Sequence, residues 1–96
     1  MNLRKSLFWD TKSEHIDYEN DAYYVIERVL ERGNHEEWQA IKSYYGLEKI
    51  KNISLNIRYL SKKTLNFCSF YFNEPIENFR CWQVQMQLPE SLRWEF

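Results

Sequence analysis

The chain has only two glycines in 96 residues, and each falls where a helix should stop. Gly33 closes the run Val25-Ile26-Glu27-Arg28-Val29-Leu30-Glu31-Arg32, and Gly46 follows a segment with Trp38, Ile41 and Tyr45 at helical spacing. The residue just past a last helical turn is often left-handed, a conformation that glycine reaches without steric cost. This punctuation predicts a mostly α-helical chain. The first helix is expected to open near Asp17, whose carboxylate can hold the unpaired N–H groups of a first turn. Its apolar face is Ala22, Val25, Ile26, Val29 and Leu30. Asn34 followed three residues later by Glu37 predicts a capping box at the start of the second helix. Ile50, Ile53, Ile57 and Leu60 predict a third helix over 47–60. Ser61 offers a start for a fourth helix ending near Phe72. The apolar crowd Leu65, Phe67, Cys68, Phe70, Tyr71 and Phe72 also fits a buried strand, because periodicity cannot separate the two. Asn73-Glu74-Pro75 reads as a stop, and Pro75 as the first residue of a short fifth helix reaching Cys81. The expected fold is a small bundle of five helices forming a body over residues 1–81.

Residues 82–96 read differently. Trp82, Val84, Met86 and Leu88 alternate with Gln83, Gln85 and Gln87. Strict alternation is the mark of a strand with one buried face. After Pro89 it resumes in Leu92, Trp94 and Phe96. The segment is therefore expected to be an extended C-terminal arm containing a single β-strand. A lone strand leaves its backbone groups unpaired. The arm must find pairing in a partner protein or in a second copy of the chain, unless it folds back on its own helices. The candidate partner-binding residues are Trp82, Val84, Met86, Leu88, Trp94 and Phe96.

Charge adds a second expectation. The net charge of −1 gives no global pull toward nucleic acid or membrane. Its distribution is uneven. Residues 1–48 carry six basic and ten acidic side chains, and residues 49–96 carry seven and four. From Lys49 to Asn73 there are five cations and no acid. Such a stretch commonly faces water or acidic neighbours within the domain. It also admits a helix-turn-helix around residues 50–72, in which Arg58, Ser61, Lys62, Lys63 and Asn66 would meet phosphates and base edges. The alternative function is thus a DNA-binding regulator.

Signs of catalysis are weak. His15 and His35 stand apart in polar surroundings, and Glu27 and Glu31 lie beside Arg28 and Arg32 as on an ordinary solvated helix face. Two glycines cannot build a phosphate loop. Two cysteines and two histidines at irregular spacing announce no metal site, and no cofactor is expected. Cys68 and Cys81 are expected as free thiols in a cytoplasmic protein. Seventeen aromatic residues exceed what so small a core can hide. The expected function is non-catalytic protein binding.

Several phrases, taken together, resemble a family. They are Leu7-Phe8-Trp9-Asp10, the run Val25 to Gly33, Trp38 with Tyr44-Tyr45-Gly46, Leu60-Ser61 with Thr64-Leu65-Asn66-Phe67, and Phe79-Arg80-Cys81. The set, over roughly residues 7–81, is similar to a family of small bacterial helical proteins of unknown function. The family's members are often encoded beside a nucleotidyltransferase-type abortive-infection toxin. The resemblance implies an antitoxin-like or accessory role with a toxin as partner, and it supplies no catalytic residues. The chain departs from that pattern at Asn73-Glu74-Pro75 and in the glutamine-rich stretch after Cys81.

Overall fold

The computed structural model describes residues 3–8 and 16–94. The chain divides into two compact units, Met1–Ile50 and Lys51–Phe96. The described residues form five α-helices: α1 (Ala22–Arg32), α2 (His35–Tyr45), α3 (Leu47–Asn56), α4 (Lys62–Tyr71) and α5 (Arg80–Met86). They include no strand. The mostly helical expectation holds. The apolar segment in the sixties and seventies is helix, not strand.

In the first unit, α1 packs against α2 and against a short 3₁₀ turn, Lys5–Phe8. Leu7, Phe8, Val25, Ile26, Val29 and Ile41 are buried. The Phe8 ring lies 5.6 Å from that of Tyr24. Burial of each such side chain contributes about 1.5–3 kcal/mol. Helix α1 begins later than expected, at Ala22. The carboxylate of Asp17 does hold free N–H groups, accepting from Glu19 N at 3.0 Å and Asn20 N at 3.2 Å, but in a turn ahead of the helix. The N–H of Asn20, then that of Glu19, hold this carboxyl below its ordinary pKa.

Glu37 organises the helix junction. Its backbone N–H donates to Asn34 Oδ1 at 2.8 Å, and its own Oε1 accepts from Asn34 N at 2.9 Å, which completes the capping box. The same carboxylate accepts from Arg4 N at 2.8 Å and from Arg4 Nε at 3.1 Å. Arg4 Nη2 donates to the Arg32 carbonyl at the end of α1. One buried carboxylate therefore ties the N-terminal segment, the α1 exit and the α2 start together. Burial pushes its pKa up, but the hydrogen bonds from Arg4 and Asn34 outweigh burial and leave it lowered.

The two glycines terminate helices for different reasons. Gly46 has φ +87° and ψ 151°, a region essentially closed to L side chains. Gly33 is not left-handed, against expectation; its φ is −75°. A Cβ there would lie 2.6 Å from the Val29 carbonyl oxygen and 2.7 Å from Val29 Cγ1. Close approach of backbone, not torsion, requires this glycine. Gly46→Ala meets no atom within 4 Å, so its cost is torsional alone. Urea unfolding should show a loss of more than about 1 kcal/mol. An unchanged midpoint would refute that account.

In the second unit, α4 and α5 both pack on a 3₁₀ turn, Ile76–Asn78. Ile57, Leu60, Leu65, Cys68, Phe79 and Cys81 are buried, and both cysteines are free thiols. Helix α3 ends at Asn56, short of Leu60, so Ile57 and Leu60 reach the interior from an irregular link. Ser61 caps α4 as expected, its Oγ accepting from Thr64 N at 3.2 Å. The helix closes on a Schellman turn. Asn73 takes φ 52°, Glu74 N donates to Ser69 O, and Asn73 N donates to Phe70 O. Asn is the non-glycine residue that best tolerates this conformation.

The fifth helix begins five residues after Pro75 and runs over Arg80–Met86. The segment expected as helix from Pro75 is instead the 3₁₀ turn. The strand expected at 82–88 is overturned for the same stretch. Cys81 and Gln85, four apart, are buried, while Gln83 and Gln87, also four apart, are exposed. Three glutamines that alternation makes equivalent are not. Glutamine and methionine are good helix formers, and among the described residues no second strand is present to pair with.

Candidate interaction surface

Helix α4 divides cleanly. Thr64, Leu65 and Cys68 face the interior. Lys63, Asn66, Phe67, Phe70 and Tyr71 recur at spacings of three and four on the opposite side. Phe70 is 87% exposed, Phe67 41% and Tyr71 38%. The rings of Phe67 and Tyr71 stack at 5.5 Å, and the ring of Phe72 meets Tyr71 edge-on at 5.3 Å. Large apolar side chains clustered in water mark an interaction surface more reliably than any isolated one. None of the three exposed aromatics was a candidate from sequence. The signal was present in the all-round apolarity of the segment: with Thr64, Leu65 and Cys68 turned inward, the residues between them must turn out.

Of the proposed arm residues, Trp94 lies beside the start of this helix. Lys62 Nζ sits 5.6 Å over the Trp94 ring, and the rings of Trp94 and Trp82 are 6.2 Å apart. Trp82, Val84, Met86 and Trp94 are half-buried, and Leu88 is exposed. Phe96 lies outside the described residues. Gln85 is wholly buried. Its Oε1 accepts from Trp94 N at 2.6 Å, while Arg93 Nε donates to the Gln85 and Leu88 carbonyls at 3.2 Å each. These bonds draw the C-terminal residues back onto α5. The clasp is imperfect. Trp94 has φ 57°, unusual for a bulky residue. Gln85 Nε2 and Trp94 Nε1 are buried without a partner among the described residues.

The residues nominated for DNA contact are spread over different tasks. Arg58 donates to Tyr59 OH at 3.0 Å and lies over that ring. Ser61 is engaged as the α4 cap, and Lys62 covers Trp94. Lys63 and Asn66 are exposed on the aromatic face. Glu74, at the far end of α4, pairs with Lys51 Nζ at 3.2 Å; hydrogen bonds from Asn78 and Lys51 lower its pKa. No helix among the described residues is long and apolar enough to cross a membrane.

A family model described as a family of unknown function, DUF6922, matches residues 3–54, more than half of the chain. The protein belongs to DUF6922. The DUF6922 match takes in the 3₁₀ turn at Lys5–Phe8, the Arg4–Glu37–Asn34 junction, α1 and α2. It is shorter than the resemblance over 7–81 and stops before α4 and α5. No curated protein and no solved structure matches the chain.

Proposed function

We propose that this DUF6922 protein is a non-catalytic protein-binding module that works through the aromatic face of α4. The observation that carries the reading is Phe70, a phenyl ring 87% exposed between two further exposed aromatics on one helix face. Burying such a ring in a complex contributes about 1.5–3 kcal/mol, enough for it to act as an anchor. Leu88 and Leu92, also exposed, extend the apolar surface available on the same unit. The family resemblance supports the finer reading of an antitoxin-like role in a bacterium, with the partner a toxin. DNA binding is less well supported, because the exposed side of α4 is aromatic where a recognition helix needs polar and basic side chains.

A photoreactive phenylalanine analogue at position 70 tests the module reading in the cells that make the protein. It should trap a discrete protein adduct, and the same analogue at the exposed position 52 should not. Identical adduct patterns from both positions would refute it.

A further inference from the structure

We propose that residues 88–94 form a strained latch, which opens and closes while the rest of its unit stays folded. Closed, it seats the Trp94 ring against Trp82 and beneath Lys62; open, it releases both. The inference stands apart from the module reading and needs no partner protein. Three contacts close the latch. Gln85 Oε1 accepts from Trp94 N at 2.6 Å. Arg93 Nε is shared between the Gln85 and Leu88 carbonyls at 3.2 Å each, which places a cation at the negative end of α5. The Trp94 ring lies 6.2 Å from that of Trp82, with Lys62 Nζ 5.6 Å from its own centroid.

Closure is opposed at the same residues. Trp94 is left-handed at φ 57°, where a bulky side chain crowds its own backbone. Its Nε1 is buried with no acceptor among the described residues. So is Nε2 of Gln85, a wholly buried residue. Because the Gln85 amide group touches Trp94 N, lifting the segment admits water to it. Water then supplies an acceptor to both groups, and Trp94 relaxes to ordinary torsions. Each unsatisfied donor therefore shifts population toward the open form by a factor of roughly five to a hundred. An ordinary chain end frays because little holds it. This one is held at specific points and opposed at specific points, the condition for two discrete arrangements. Deleting the right polar atom should accordingly close the latch, where at a frayed end it would do nothing.

Chemical ligation at Cys81 gives the full chain from a recombinant 1–80 thioester and a synthetic 81–96 peptide. The peptide carries either Trp94 or benzothienylalanine in its place, in which sulfur replaces the indole N–H. Ring shape is kept and only the unsatisfied donor goes. Hydrogen exchange followed by NMR at the residue-94 amide reads the closed population. The Leu65 amide, bonded to Ser61 O in α4, reads the unit as a whole. The benzothienyl chain should show at least about fivefold more protection at residue 94 than the Trp94 chain, with Leu65 unchanged. Arg93→Ala in the Trp94 chain should lower residue-94 protection by about tenfold or more, again with Leu65 unchanged. Circular dichroism confirms that each chain folds. Equal or lower protection in the benzothienyl chain overturns the proposal, by showing a frayed end or an indole N–H that has an acceptor. An inert Arg93→Ala overturns it as well. So does residue-94 exchange that tracks Leu65 across a urea titration, which would make opening a global unfolding.

Discussion

Glu37→Ala is expected to lower the unfolding free energy by about 2–4 kcal/mol, the largest loss anticipated for any single polar side chain of the first unit. The change deletes an acceptor shared by Arg4 N, Arg4 Nε and Asn34 N. Hydrogen bonds to a charged group are each worth more than neutral ones. The loss is partial because Arg4 itself is half exposed and can be rehydrated. Glu37→Gln should cost less, since an amide oxygen can still accept from Asn34 N while the charge facing Arg4 is gone. The same contacts set a pH dependence. The folded-state pKa of Glu37 lies below its ordinary value near 4.5, so its stabilisation is fully present above that value. It is lost as pH falls through the lower folded value. In Glu37→Gln that component of acid destabilisation should be absent. Urea titrations of both proteins between neutral pH and pH 3 check this, and parallel pH profiles would show that the carboxylate is not held as described.

Gly33→Ala should cost about 2–3 kcal/mol, near the top of the range for an overpacked position. The added methyl meets the Val29 carbonyl at 2.6 Å and Val29 Cγ1 at 2.7 Å. Neither can step aside cheaply. The carbonyl accepts from Gly33 N at 2.8 Å and belongs to the helix, and the valine is buried and confined to one rotamer. Relief must come from moving the α1 exit, which Arg4 holds through the Arg32 carbonyl. Thermal unfolding of Gly33→Ala measures the loss. A cost under about 0.5 kcal/mol, the level of an ordinary surface change, would mean that the α1 exit yields freely.

The sequence was informative where a local rule had one outcome. Asn34 with Glu37 predicts a capping box and makes one, and Ser61 caps α4. Gly33 was correctly placed as a terminator for a reason that cannot be read locally: its φ is ordinary, and the constraint is the nearness of Val29. The alternation at 82–88 misled because side-chain pattern is only half of a strand. Pairing decides the other half, and Cys81 and Gln85 find burial at helical spacing. Arg4 is invisible as a site residue in sequence, being 33 positions from the carboxylate it meets. The candidate surface was half legible. The apolar excess of residues 65–72 was plain, but which rings turn outward depends on how α4 rotates toward its core, and that is settled by Thr64, Leu65 and Cys68.

A phenyl ring standing almost wholly in water also bears on how the molecule keeps company at high abundance. Without a covering protein, the rings of neighbouring molecules are the nearest greasy surface on offer. On the proposed protein-binding reading, solubility is tied to stoichiometry, and an excess of this chain over the proposed partner is the condition under which it should precipitate first.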